Sequence, residues 1–297
     1  MEGAVFGHGQ LGGAIRRTID LAAGADEKKM NLKDLQDTPP WDWPVNAGDI
    51  VKESLRNPGT AASDRIIAAE LAGDLIVMDD NMADLLLSIV RSSDEPEELR
   101  ARAAISLGPV LEECDTEGFD DDLSEPSISE QMFHQIQQTL CEVHFDEGTP
   151  KQVRRKVLEA SVRAAQSWHQ DAVRAAYSRE DEDWKLTAVF CMRWVPGFDD
   201  QILEMLESPN PDVHYEAVRA AGDREVDAAW PHIAALIAFE RTEKTLLLAA
   251  IEAVANLRPR EAGDVLADLA DSEDEEIADA VSEALLMAEP GSDEDED

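Results

Sequence analysis

The chain has little of several things. It holds 3 cysteines, Cys114, Cys141 and Cys191, far apart and odd in number, so they form neither a ligand pair nor a disulfide framework. They read as reduced thiols of a cytoplasmic protein. Aromatics are only 5%, and the apolar set is mostly Ala and Leu, which suit close helix packing better than sheets. No apolar run approaches the roughly 20 residues that a bilayer span needs, so no membrane role is expected. The N-terminus lacks a charged region followed by a continuous apolar one, so no secretory leader is expected. Bases are scarce beside acids: 26 Lys+Arg against 65 Asp+Glu, a formal charge of −39.

Such a surface repels nucleic-acid phosphates and anionic lipid. Two readings of it stay open. One is a protein that binds a basic protein partner. The other is adaptation to high salt, where screening removes the self-repulsion. The few lysines (8) beside arginines (18) fit the second. The segment 289–297 carries six acids and reads as a disordered tail, yet without it the charge is still −33.

What is present is a repeat. The stretches "SSDEPEELRARAAISLG" (92–108) and "ESPNPDVHYEAVRAAG" (207–222) both start in a Ser/Asp/Pro turn and continue as a helix. An apolar residue is followed by a small or apolar residue four later, and by another four after that. The pattern recurs at Leu99–Ala103–Leu107, Val153–Val157–Ser161, Trp184–Ala188–Met192, Val213–Ala217–Ala221, Leu246–Ala250–Val254 and Ile277–Val281–Leu285, with the last five copies 31, 29, 33 and 31 residues apart. An earlier copy, "SDRIIAAELAGD", aligns Ala72-Gly73 with Leu107-Gly108 and Ala221-Gly222. Residues four apart share a helical face, so each helix buries one stripe, and its small central residue admits a neighbouring helix. A shorter apolar segment precedes each copy. Pro96, Pro150 and Pro211 fall at helix starts, where a missing N–H costs little, and Ser63, Asp64, Asp94 and Asn210 offer capping oxygens. The unit is helix–turn–helix, about seven times over.

This pattern resembles the HEAT-like repeats of the phycobilisome-lyase type over about residues 47–288. The resemblance implies an all-α, right-handed α-solenoid of about seven helical pairs, most often an interaction scaffold and less often an enzyme of the bilin-lyase kind. The family's Val-Arg after the turn is mostly absent: it occurs at Val153-Arg154, with Lys185 and His214 in the matching places of later copies. The resemblance assigns that Arg to bracing neighbouring repeats.

One copy is interrupted. Within the surplus between Leu99 and Val153, "EECDTEGFDDDLSE" (112–125) has eight acids and no base, an acidic insertion of about 112–127. Residues 151–180 then have seven bases against three acids. The insertion is expected to be disordered or laid against that basic stretch, so that deleting 114–124 leaves the fold intact.

The remaining motifs carry little chemistry. Gly7-x-Gly9-x-x-Gly12 has the spacing of a dinucleotide loop, but only "AVF" precedes it and no second strand follows, so it reads as coil leading into a helix. The segment 1–46 is read as an extension. In it "TPPWDWPVN" (38–46) is expected to be extended, with Trp41 and Trp43 on opposite sides, plugging the end of the first repeat or docking a partner. The six histidines form no His-Glu pair of the iron-hydroxylase kind. No catalytic residue, metal site or cofactor is therefore expected. The sequence supports a scaffold binding a protein partner, with Trp41, Trp43, Arg154, Arg155, Arg163 and Arg174 as the candidate partner-binding residues.

Overall fold

The computed structural model describes residues 30–119, 126–239 and 241–288. The opening glycines and the acidic tail lie outside these. The described residues form seventeen α-helices, four short 3-10 turns and no strand. A short helix, α1 (Leu32–Gln36), leads in, held by a capping box in which Asn31 and Asp34 satisfy each other's backbone N–H.

Seven helical pairs follow. They are α2 (Ala47–Arg56) with α3 (Ala62–Leu71), α4 (Asp80–Arg91) with α5 (Glu97–Ile105), and, after the inserted α6 (Gly108–Glu117), α7 (Glu130–Phe145) with α8 (Lys151–Ser161). Then come α9 (His169–Tyr177) with α10 (Glu182–Cys191), α11 (Asp199–Met205) with α12 (Pro211–Asp223) and α13 (Trp230–Ala238) with α14 (Lys244–Leu257). In the seventh, the first member is split into α15 (Ala262–Val265) and α16 (Ala267–Ala270), and α17 (Glu275–Ala288) is the second.

The second helices stack on one another in chain order from α3 through α5, α8, α10, α12 and α14 to α17. The first helices touch extensively only at the start, α2 on α4 and α4 on α7. A layer that stays close beside a layer that splays must curve toward the close one. The second helices therefore form the inner face of the solenoid.

The repeated stripe makes this layer. Leu99, Ala103, Leu107, Val153, Val157, Trp184, Ala188, Met192, Val213, Ala217, Ala221, Ala250, Val254 and Val281 are all buried. Glycine sets the spacing at two joints. A Cβ on Gly222 would lie 2.9 Å from Ala253, and one on Gly73 would lie 3.1 Å from Ser106. Each glycine thus faces the same position of the next second helix, and a side chain there would push the repeats apart.

Capping follows the sequence in part. Asn210 caps α12 through Asp212 N–H at 3.0 Å. Asp64 instead lies inside α3, whose start has no side-chain cap. Asp79, Ser129 and Asp181 cap α4, α7 and α10. The acidic insertion is not a separable loop: α6 occupies its first part and buries Val110, Leu111 and Cys114 in the N-terminal core. Deleting 114–124 would cut into that core. The expected contact with the basic stretch does occur, between Glu112 and Arg163 at 2.8 Å; residues 120–125 lie outside the described ones.

Candidate interaction surface

Positions two, three, six and ten residues after the first stripe residue share one side of the inner helices. In the three central repeats these positions are mostly charged or aromatic. They are Arg155, Lys156, Glu159 and Arg163 on α8 and just beyond it, Thr187, Phe190 and Trp194 on and after α10, and Tyr215, Glu216, Arg219 and Asp223 on α12.

These side chains link one repeat to the next. Arg155 Nε donates to Thr187 Oγ1 at 3.0 Å, and Thr187 Oγ1 donates to Glu159 Oε1 at 2.6 Å. Lys156 pairs with the same Glu159. Arg155 also reaches Asp183 at 3.3 Å. Glu112 on α6 receives Arg163 at 2.8 Å and Trp194 Nε1–H at 3.2 Å, tying the insertion to two successive repeats. Arg163 lies 5.1 Å and Arg193 4.6 Å from the Trp194 ring centre, so the indole is plated by two guanidinium groups. Arg193 pairs with Asp223, and Arg219 sits 3.9 Å from Glu252 and 5.8 Å from the Tyr215 ring.

Burial dominates the electrostatics. It pushes the Glu216 carboxyl up, against the pull of Arg193 and Arg219. It pushes the Cys191 thiol well up, with Glu159 adding to the effect. It lowers Arg163, partly offset by Glu112. Glu216 Oε2 and Arg163 Nε are buried without a hydrogen-bond partner among the described residues. A buried thiol held protonated is a poor nucleophile. The arrangement acts as a set of ties across the third, fourth and fifth repeats.

The candidate residues separate into two groups. Trp41 stands 68% exposed on the 3-10 turn Pro40–Asp42. Trp43 points inward, and its Nε1–H is shared between the carbonyls of Leu35 (3.0 Å) and Thr38 (2.8 Å), against the first repeat's core. The two tryptophans do face opposite ways, but on a 3-10 turn instead of an extended strand, because Pro40 has the φ that a helical first position wants. Arg174 is exposed and pairs with Asp171 at 2.8 Å. Arg154, Arg155 and Arg163 are taken up inside the molecule: Arg155 is 5% exposed, and Arg154 Nε donates to the His144 carbonyl at 2.8 Å.

The Arg154 contact is one of a series. Arg65 Nε donates to Leu55 O at 3.2 Å and Arg100 Nε to Val90 O at 3.0 Å, each ten residues back, as in Arg154 and His144. The preceding residue is Asp, Leu or Val, so a search for Val-Arg finds one of three.

Two histidine groupings also escaped the sequence, since their members lie on different helices. His144 packs against Phe145, Trp168 and Trp184, and the His169 ring stacks on Trp168 at 3.7 Å. His169 Nδ1 accepts from Gln166 N–H at 2.8 Å, which leaves Nε2–H to donate to Ser161 Oγ at 3.0 Å. Burial holds both imidazoles neutral, each lowered to about 4. Farther along, His214 and His232 bring their Nε2 atoms to 2.8 Å, with Glu207 Oε1 3.4 Å from His232 Nδ1.

No known family model matches the chain, and no curated protein sequence does. Among solved structures it is similar to Escherichia coli YibA, at 17% identity and a TM-score of 0.42, covering 86% of this chain and 85% of that one. It is similar also to human deoxyhypusine hydroxylase, at 16% identity and a TM-score of 0.38, covering 87% and 88%. Likeness at this level carries nothing to this chain's chemistry, and the fold described above rests on its own helices.

Proposed function

We propose that this chain is a non-catalytic scaffold whose partner is a protein with a basic surface. One observation supports the reading above others: the scarce cations are spent inside the molecule. Lys52, Arg65, Lys151, Arg155, Arg193, Arg219 and Lys244 each pair with an acid of the following repeat, Asp79, Glu95, Asp181, Asp183, Asp223, Glu252 and Asp274 respectively. In these seven the base stands in the earlier repeat, whereas Arg102 and Arg163 reach back to Glu70 and Glu112. Acids in excess of these ties face solvent on nearly every first helix, among them Asp49, Glu53, Asp84, Glu142, Asp171, Asp199, Asp200 and Glu204. A surface so biased attracts cationic proteins and speeds their encounter.

The test is a stoichiometric complex captured on the full chain at about 0.1 M salt and released as the Debye length shrinks from about 10 Å. Melting temperature against KCl separates the salt-adaptation reading. A rise that stops near about 0.3 M, where screening of surface charge is largely complete, fits a scaffold; a rise into the molar range, with no salt-labile complex, overturns it.

A further inference from the structure

The first helices of six repeats all present acids to solvent. They are Asp49 and Glu53 on α2, Asp80 and Asp84 on α4, Glu130 and Glu142 on α7, Asp171 on α9, Asp199, Asp200 and Glu204 on α11, and Asp264 and Asp268 on α15 and α16. The exception is α13. Its sequence, Trp-Pro-His-Ile-Ala-Ala-Leu-Ile-Ala, holds no acid, and His232 is its only polar residue. So apolar a helix belongs in a core, yet Ile233 alone is buried in it. Pro231, Ala235 and Ala238 are exposed, Leu236 and Ile237 are half-buried, and Phe239, which follows the helix, is 60% exposed. Among the described residues this outward face has no cover, and it lacks the solubilising charge that the equivalent faces carry.

Acids stand around it. Glu207, its side chain 83% exposed, reaches His232 at the N-terminal end. Asp227, equally exposed, sits one turn before the helix and holds Arg258 across the Trp230 ring. Glu243 caps α14 just beyond Phe239. Arg241, two residues after Phe239, is an exposed base. An apolar centre without charge, an aromatic on it and a charged rim are the anatomy of a protein interface. The sign of the rim chooses the occupant.

We infer that the outward face of α13 docks an amphipathic helix of a partner, its apolar side on Ala235, Ala238 and Phe239 and its flanking lysines or arginines on the acidic rim. This rests on the proposed scaffold reading and locates its contact. The mode is a helix laid on an apolar surface, with charges at the edges setting orientation.

The test uses the full chain and two synthetic peptides of about 14 residues, long enough for four turns. One is an amphipathic Leu/Lys helix; the other is a Lys/Ser peptide of the same charge. Binding is read by fluorescence anisotropy on the wild type and on Ala235→Glu and Phe239→Glu. Both positions are exposed, and unchanged circular dichroism melting confirms that the variants fold. Each substitution adds a negative charge, so attraction by charge alone makes both peptides bind tighter. Docking on α13 instead weakens the Leu/Lys peptide by about tenfold in each variant and leaves the Lys/Ser peptide equal or tighter. Leu/Lys binding that is unchanged or tightened overturns the site while leaving a basic partner standing. If neither peptide binds the wild type, the scaffold reading itself falls. A concentration-dependent dimer that the same substitutions dissolve places a second copy of the chain on this face and overturns the partner assignment.

Discussion

The two ends of the solenoid share one inner layer and differ in how the outer helices are attached to it. In the first three repeats Arg65, Arg100 and Arg154 each reach back to a carbonyl at the end of the preceding helix. The same position holds Lys185, His214, Leu247 and Ala278 in the last four. Lys185 lies over the Tyr177 ring at 6.0 Å, and His214 turns to His232 of the next repeat. Outer helices follow suit. In the braced half α4 buries six residues and α7 seven; in the other, α13 buries one and the last outer helix breaks into two four-residue pieces. The apolar stripe is enough to stack the inner layer. The ties alone do not decide how deeply an outer helix is seated: α2, tied by Arg65, buries three residues, and α9, without that tie, buries four.

The seam between the halves offers the largest effect. His144 and His169 face one another's repeats there, both buried as neutral imidazoles at about 4. The unfolded chain takes up protons near 6.5, so the folded state binds fewer as the solution acidifies. Stability from these groups is present in full above about 6.5 and drains away as pH falls toward 4. At full effect each withholds about 3 kcal/mol, and the two are coupled, so the sum is smaller. His214, also lowered by burial, adds to the slope. Urea midpoints measured from pH 7.5 to 5, above the carboxylate range, should fall steadily, and His144→Leu should flatten the fall. A midpoint indifferent to pH in that window would show that the seam is wet.

Breaking a brace comes next. Arg100 is 6% exposed and its acceptor belongs to Val90, which is fully buried. Arg100→Met should cost about 2–3 kcal/mol, the loss of a charged hydrogen bond with its acceptor left buried. Lys185→Met, at the equivalent position without the bond, should cost less than about 0.5 kcal/mol. Equal losses would mean that the halves are not attached differently at all.

How much of this the sequence carried depended on distance along the chain. The stripe was legible because it recurs every four residues within a helix and about every thirty between helices; Ala217 and Ala250, expected at helix contacts, are fully buried. Ala217→Leu and Ala250→Leu should each overpack the layer by about 1–3 kcal/mol, and wild-type melting in both would mean that the inner layer is looser than its contacts imply. The ties were legible only where they stayed near. Arg154 stood out as a motif residue, but whether a basic side chain faces a partner or the Glu112 carboxylate 51 residues away is decided by the curve of the stack. For the same reason Arg155 and Arg163 read as a free basic patch. The exposure of α13 was illegible outright, since its composition is that of a core helix.

The smallest expected effect lies in the turn that launches α13. The helix before it, α12, ends in two bonds, Val226 N–H to Ala221 O at 2.9 Å and Glu225 N–H to Gly222 O at 3.0 Å. That is the Schellman pattern, and it forces Glu225 to φ +51, among the described residues the one non-glycine in the left-handed region. A Cβ there crowds the following carbonyl, which is why glycine usually fills the place. Glu225 is exposed, so replacing it removes strain and takes away no packing. Glu225→Gly relieves that strain but gives the unfolded chain more freedom, and the two effects oppose each other. The strain should win, leaving the variant more stable by about 0.5–1 kcal/mol, or about one to two degrees in melting temperature for a chain of this length. In the braced half no such gain is available, because Gly118 already occupies its left-handed turn at φ +72, after α6. A Glu225→Gly variant that melts below the wild type would show that the side chain holds the turn, and would move the weakness of this half from the backbone to its missing ties.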